Sequence, residues 1–226
     1  MTPPPEIAPI TRIQENVLAR AERRVLNRLC AAMPKWVTPD KLTALGMVGA
    51  VMILCGYLAS NANAAWLWLS IAGFILHWLG DSLDGSLARF RKIERPRYGY
   101  FLDHSCDGLA TAMIVAGIGM SPYVAMDAAL LGLAGYLLLS IHAFLTVRVL
   151  GELPLTYLNL GPTEVRLILI ALTIAFLVFG VPRPVWQGET SFDLIAWGAG
   201  LLMIGVFIVQ TAGKARLLAK QEPPRA

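Results

Sequence analysis

Asp81-Ser-Leu-Asp84-Gly85-Ser-Leu-Ala88-Arg89 and Gly99-Tyr-Phe-Leu-Asp103-His-Ser-Cys-Asp107 are the two segments whose residue types and spacing could do chemistry. On a helix, steps of three and four residues fall on one face, so positions 81, 84, 85 and 88 share a face. Asp103 and Asp107 lie one turn apart on the helix that follows. Two antiparallel helices joined by a short basic turn bring these four carboxylates to one point. Gathered at a membrane boundary, they repel one another and resist ionisation, and unmatched they are costly. Divalent cations offset that repulsion, and hard oxygen donors select Mg²⁺, Mn²⁺ or Ca²⁺ over zinc. Two ions bridged by shared carboxylates suit phosphoryl transfer, clamping phosphate oxygens while charge moves toward the leaving group. Gly85 and Ala88 strip bulk from the same face, and Arg89 offers a forked contact to phosphate. Any one of these aspartates alone reads equally well as a snorkelling or capping residue. The four together do not.

The elements that position these segments are apolar. The chain has 226 residues, 56% hydrophobic and 15% charged, with mean hydropathy +0.60; a soluble domain carries about a quarter charged residues. The deficit lies in long charge-free runs, the pattern of a membrane protein. The net charge of +4 is spread over short basic segments beside apolar runs, which points to anionic lipid and excludes nucleic acid as the partner. Cys30, Cys55 and Cys106 have no paired spacing and read as small apolar core residues. The first forty residues are polar, with prolines at 3 to 5, and contain no apolar run of signal-peptide length. Insertion is therefore expected from the body of the chain.

Six stretches approach the roughly 20 residues needed per crossing: 42–60, 64–80 (continuing to 90 if its helix protrudes), 100–120, 128–147, 167–182 and 194–213. The predicted fold class is an all-α integral membrane protein of six transmembrane helices, preceded by an N-terminal amphipathic interfacial helix. Its organisation is an arm over 1–40, a membrane domain over 41–214 and a basic tail over 215–226. The arm helix is expected over 13–33, with Arg20, Arg23, Arg24 and Arg28 among Val17, Leu18, Val25, Leu26 and Leu29. A solvated helix docked on the protein is the alternative. With both termini on one side, every Lys and Arg except Arg183 falls on that side, so the positive-inside rule puts the termini and the carboxylates in the cytoplasm.

The aspartate segments resemble the signature of the CDP-alcohol phosphotransferases, D-x-x-D-G-x-x-A-R, a spacer, then G-x-x-x-D-x-x-x-D. Asp81, Asp84, Gly85, Ala88, Arg89, Gly99, Asp103 and Asp107 all match. The spacer from Phe90 to Tyr98 is one residue longer than usual, an insertion that falls in the turn between helices. The run from Thr38 to Gly46 also resembles the family's approach to its first span. The resemblance implies a membrane enzyme of phospholipid synthesis, often a homodimer, with two Mg²⁺ or Mn²⁺ ions held by Asp81, Asp84, Asp103 and Asp107. A CDP-linked alcohol would bind its pyrophosphate there, with Asp40, Thr43, Gly85, Ala88 and Arg89 lining the nucleotide pocket. An acceptor hydroxyl would attack the phosphorus distal to cytidine, CMP would leave, and Asp107 would act as base.

Two features bear on the alcohol. Asp103-His104-Ser105-Cys106-Asp107 resembles the D-H-G-C-D of choline and ethanolamine phosphotransferases, and Gly161-Pro162-Thr163-Glu164 resembles a second element of that branch. They imply a CDP-linked small alcohol as donor and a lipid hydroxyl as acceptor. His104 would then take the proton, oriented by Glu164, and Asp107 would chiefly ligate metal. Alternatively His104 is incidental and Glu164 a capping acid, and phosphatidyl moves from CDP-diacylglycerol to a polar alcohol such as glycerol phosphate, inositol phosphate or serine. His77 and His142 read as ordinary span residues. A transporter would scatter its acids over several spans, whereas these cluster on one helix pair. A catalytically dead scaffold would have no reason to keep the whole signature.

Overall fold

The structure, a computed structural model, describes residues 11–13, 19–154 and 161–222, with side chains from 22 to 151 and from 161 to 222. Strand β1 (Thr11–Ile13) leads to helices α1 (Ala19–Ala32) and α2 (Pro39–Ala59), and a 3-10 turn at Ala64–Trp66 opens into α3 (Leu67–Arg91). Helices α4 (Pro96–Gly119) and α5 (Met126–Leu150) follow, then strand β2 (Glu152–Pro154) and α6 (Pro162–Phe179). A hairpin of β3 (Pro184–Trp186) and β4 (Glu189–Thr190) precedes the last helix, α7 (Ser191–Gln221).

Local chemistry explains most helix starts. Thr38 caps α2, its hydroxyl accepting the Lys41 N–H at 3.3 Å, and Pro39 sits in the first turn, where a missing N–H costs nothing. Pro96 and Pro162 open α4 and α6 in the same way, and a Thr190–Asp193 capping box opens α7. At the hairpin tip Gln187 and Gly188 both have positive φ (48° and 93°), as a tight two-residue turn requires.

Glycines let α2 and α3 approach to backbone contact, and that seam sets the height of the first aspartate segment. A Cβ on Gly49 would lie 2.5 Å from the His77 nitrogen and 2.7 Å from the Gly73 oxygen. One on Gly80 would lie 2.3 Å from the Gly46 nitrogen. Each helix glycine costs about 1 kcal/mol relative to alanine, a cost offset where small residues allow close helix packing. Asp81 follows directly on Gly80.

Among the described residues two buried clusters form, one toward each end of the bundle. Tyr57, Leu67, Phe74, Ile118, Tyr123, Ala128 and Phe176 form an aromatic-rich core, where Tyr123 stacks on Phe176 at 4.6 Å between centroids. The Tyr57 hydroxyl meets the Thr173 Oγ1 at 2.7 Å there. At the end that carries the aspartates, Leu26 and Cys30 of α1 pack with Val37, Leu42, Leu83 and Leu87. Burial pushes the Cys30 thiol up from its ordinary value.

Several expectations are corrected or narrowed. Ile13 belongs to β1, which pairs in parallel with β2, so the arm helix does not begin there; residues 14–18 lie outside the described residues. Thr11 and Ile13 are β-branched and suit a strand once a partner is present. Helix α7 runs on to Gln221, well into the expected tail, because Lys214 to Gln221 are good helix formers. Cys55 is exposed on α2 rather than part of a core. Four described helices (α2, α5, α6 and α7) are long and apolar enough to cross a membrane; α3 and α4, with 25 and 24 residues, match them in length but carry the carboxylates.

Candidate active site

Asp81 and Asp84 project from the C-terminal half of α3, which lies in the seam with α2, and Asp103 and Asp107 from the first half of α4. Each carboxylate has a defined neighbour. Asp84 is buried and accepts from the Thr43 hydroxyl of α2 at 2.6 Å. Asp81 forms an ion pair with Arg166 of α6, both side chains less than one-fifth exposed. The His104 Nδ1 lies 3.7 Å from an Asp107 oxygen and 4.0 Å from an Asp103 oxygen. Asp103, His104 and Asp107 each offer a ligand atom, all within 4.8 Å of one another. Oxygen-rich donors at this separation fit a hard divalent ion.

Beside them is an open cleft lined by Asp40, Thr43, Asp84, Gly85, Ala88, Arg89, Arg95, Tyr98 and Asp103. All five residues expected around the nucleotide (Asp40, Thr43, Gly85, Ala88 and Arg89) thus border one space together with two of the aspartates. The α3–α4 turn forms its rim: Arg95 pairs with Asp40 and lies 4.0 Å over the Tyr98 ring. Asp40 pushes the Arg95 guanidinium up from its already high ordinary value. Arg91 points the other way and donates to the carbonyls of Val37, Met33 and Pro34 at 2.6, 2.9 and 2.9 Å. It ties the end of α3 to the α1–α2 link.

The expected partnership of His104 with Glu164 is not formed. Glu164 caps its own helix, accepting the Gly161 N–H at 3.1 Å. His104 packs against Tyr100 and Phe144, at 4.3 and 5.0 Å between centroids, and its buried Nε2 has no hydrogen-bond partner. An acid three residues into a helix lies within reach of its own N-terminal amides, and that local contact wins. His142 bridges to Thr211 of α7 at 3.2 Å, while His77 is buried in the α2–α3 seam.

Two residues of this region were not among the sequence candidates. Arg166 stands just before the fifth apolar stretch (167–182) and reads only as one of the basic residues flanking a span. Glu22 of α1 accepts from Thr163 of α6 at 2.6 Å and from Trp78 of α3 at 3.0 Å, and nothing in its local sequence marked it.

A bundle of apolar helices with clustered carboxylates beside a cleft is the architecture of a membrane-associated site with the donors to hold a divalent ion. The chain belongs to the CDP-alcohol phosphatidyltransferase family, whose profile matches residues 36–210. Its relatives include the archaetidylinositol phosphate synthase of Pyrococcus horikoshii, 31% identical over 105 residues that cover 46% of this chain and 52% of the relative. The phosphatidylinositol phosphate synthase of Cutibacterium acnes is 34% identical over 101 residues, 43% of this chain and 45% of the relative. Cholinephosphotransferase 1 of Danio rerio is 26% identical over 122 residues, 48% and 32% respectively. The matched stretches thus span between a third and a half of the length of these relatives. The family is one of transferases in phospholipid biosynthesis.

Proposed function

We propose that this chain transfers a substituted phosphate from a CDP-linked alcohol to a hydroxyl acceptor and releases CMP, using Asp81, Asp84, Asp103 and Asp107 to hold two Mg²⁺ or Mn²⁺ ions. The observation that carries this reading is one cleft bordered by Asp84, Asp103 and all five residues expected around the nucleotide. Bound there, the ions would supply Lewis-acid stabilisation of the phosphate oxygens. The remaining work falls to side chains. Thr43 holds the Asp84 carboxylate at 2.6 Å and fixes its orientation. Gly85 and Ala88 leave room for the nucleotide, and Arg89 and Arg95 offer guanidinium forks to its phosphates. The Asp107–His104 pair, 3.7 Å apart, takes the proton of the acceptor hydroxyl.

Two donor readings follow. A CDP-linked small alcohol with a lipid acceptor is supported by His104 within the aspartate segment. Phosphatidyl transfer from CDP-diacylglycerol to a polar alcohol phosphate gains from the capping role of Glu164, which removes the second support of the first reading. The synthase names of the archaeal and bacterial relatives favour it too. We place phosphatidyl transfer first. The test is purified protein with CDP-diacylglycerol plus inositol phosphate or glycerol phosphate, against CDP-choline or CDP-ethanolamine plus diacylglycerol. CMP release and lipid product in the first set only is the expected result; turnover in the second set only reverses the order. No CMP in any set, with and without Mn²⁺, rules out the reaction class.

The remaining proposals concern placement. Six spans, with α3 and α4 among them, put both termini and the carboxylates in the cytoplasm, and α1 lies in the interface on that side. The support is the basic-residue asymmetry and exposed Arg23, Arg24, Arg28 and Trp36 around α1. A homodimer follows the family resemblance, and cross-linking in membranes tests it.

A further inference from the structure

Glu22 is a half-buried carboxylate in the first turn of α1, and one of its oxygens is shared by donors from two other helices. Oε1 accepts from the Thr163 hydroxyl of α6 at 2.6 Å, the Trp78 indole N–H of α3 at 3.0 Å and, at the limit of contact, the Ser82 hydroxyl at 3.5 Å. The donors are placed tellingly. Trp78 lies three residues before Asp81 on α3, and Thr163 lies three residues before Arg166 on α6. Residues three apart on a helix are neighbours on one face. Glu22 therefore grips each helix one turn from the two residues that form the Asp81–Arg166 pair. A second contact acts on the same segment: β1, just ahead of α1, pairs with β2 on the approach to α6, with Thr11 opposite Glu152 and Ile13 opposite Pro154.

We propose that Glu22 is a positioning residue for the carboxylate cluster: it sets the register of α6 against α3 and so the pose in which Asp81 presents its carboxylate to a divalent ion. This rests on the reading of Asp81 as a metal ligand. Glu22 does not line the cleft; it acts through Thr163, Trp78 and the two helices that carry them. The N-terminal arm thereby becomes part of the machinery of the site rather than a membrane anchor alone.

The test is Mn²⁺ binding to the purified full chain, read by electron paramagnetic resonance of the free ion, with melting measured without metal. Glu22→Ala and Thr163→Val are expected to weaken Mn²⁺ binding about tenfold, the lower bound for losing a group that orients a ligand through others. Glu22→Gln keeps an acceptor oxygen and is expected to restore binding. The double variant should bind no more weakly than Glu22→Ala, because Thr163→Val removes a contact that Glu22→Ala has already removed. Should Glu22→Ala fail to fold, Thr163→Val and Trp78→Phe, each deleting a single donor, carry the comparison. Wild-type affinity in the folded variants, or a fall in melting temperature with no change in affinity, overturns the positioning role. Wild-type protein that binds no Mn²⁺ overturns the metal reading itself and this inference with it, a result distinct from equal binding by wild type and variants.

Discussion

Asp81 is matched by an arginine and Asp84 by a threonine, and that difference decides what each substitution costs. Removing the charge of Arg166 leaves Asp81 ionised and poorly solvated, a loss of about 3 kcal/mol for a mostly buried pair. Arg166→Met should therefore lower the melting temperature, and adding Asp81→Asn should recover part of the fall, since two neutral groups are left. A single variant as stable as wild type would show that the pair contributes nothing. Thr43 donates one hydrogen bond to Asp84, so Thr43→Val should fold normally and lose turnover by misorienting a carboxylate. Asp81→Asn, Asp84→Asn and Asp103→Asn should each cut CMP release by about 100-fold or more, as expected for groups that hold an ion in place. Full activity in any two of the three would sink the dinuclear reading.

At the scale of the element, the α2–α3 seam controls where the aspartates emerge. Gly49→Ala and Gly80→Ala each put a Cβ against backbone, at 2.5 and 2.3 Å, which no side-chain rotation relieves. Each is expected to destabilise by about 1–3 kcal/mol, the range for overpacking. Gly132→Ala and Gly205→Ala, with nothing within 4 Å of the added carbon, should be neutral or slightly stabilising. Melting in detergent separates the two pairs, and equal behaviour would refute the seam. The helices from α2 to α6 were legible, since apolar runs mark their positions to within about five residues, whereas α7 runs eight residues past its expected end at 213. The aspartate faces were legible too, because helical periodicity alone groups positions 81, 84, 85 and 88. Which helix covers which face was not. Arg166 reads only as a flanking basic residue at the edge of an apolar run, and tertiary packing alone makes Asp81 its partner. The β1–β2 pairing joins segments far apart along the chain, and three-residue strands leave no periodic signal. Glu164 shows the converse, a contact read as long-range that is local.

For the whole molecule, the ordering of helices bears on orientation as well as packing. With α2 through α7 crossing in alternation, the turn at 60–63 and the hairpin of β3 and β4 fall at one end, with the aromatic-rich core. The α3–α4 turn and both described chain ends fall at the other, with the carboxylates. In that arrangement every Lys and Arg from Arg23 to Lys220 except Arg183 would belong to the second end, the bias that retains basic loops in the cytoplasm during insertion. The proposed reaction needs the same arrangement, since a nucleotide-linked donor carries charges that do not cross a bilayer unaided. Single cysteines near Asn61 and Gly188, in a background with Cys30, Cys55 and Cys106 replaced, should react with an impermeant maleimide in intact cells. Asn61 and Gly188 are both exposed, so lack of access is no obstacle. A cysteine at Lys92, equally exposed, should react only after the membrane is opened. The reverse pattern would invert the protein and separate the cleft from cytosolic donors; labelling of all three in intact cells would mean that α3 does not cross.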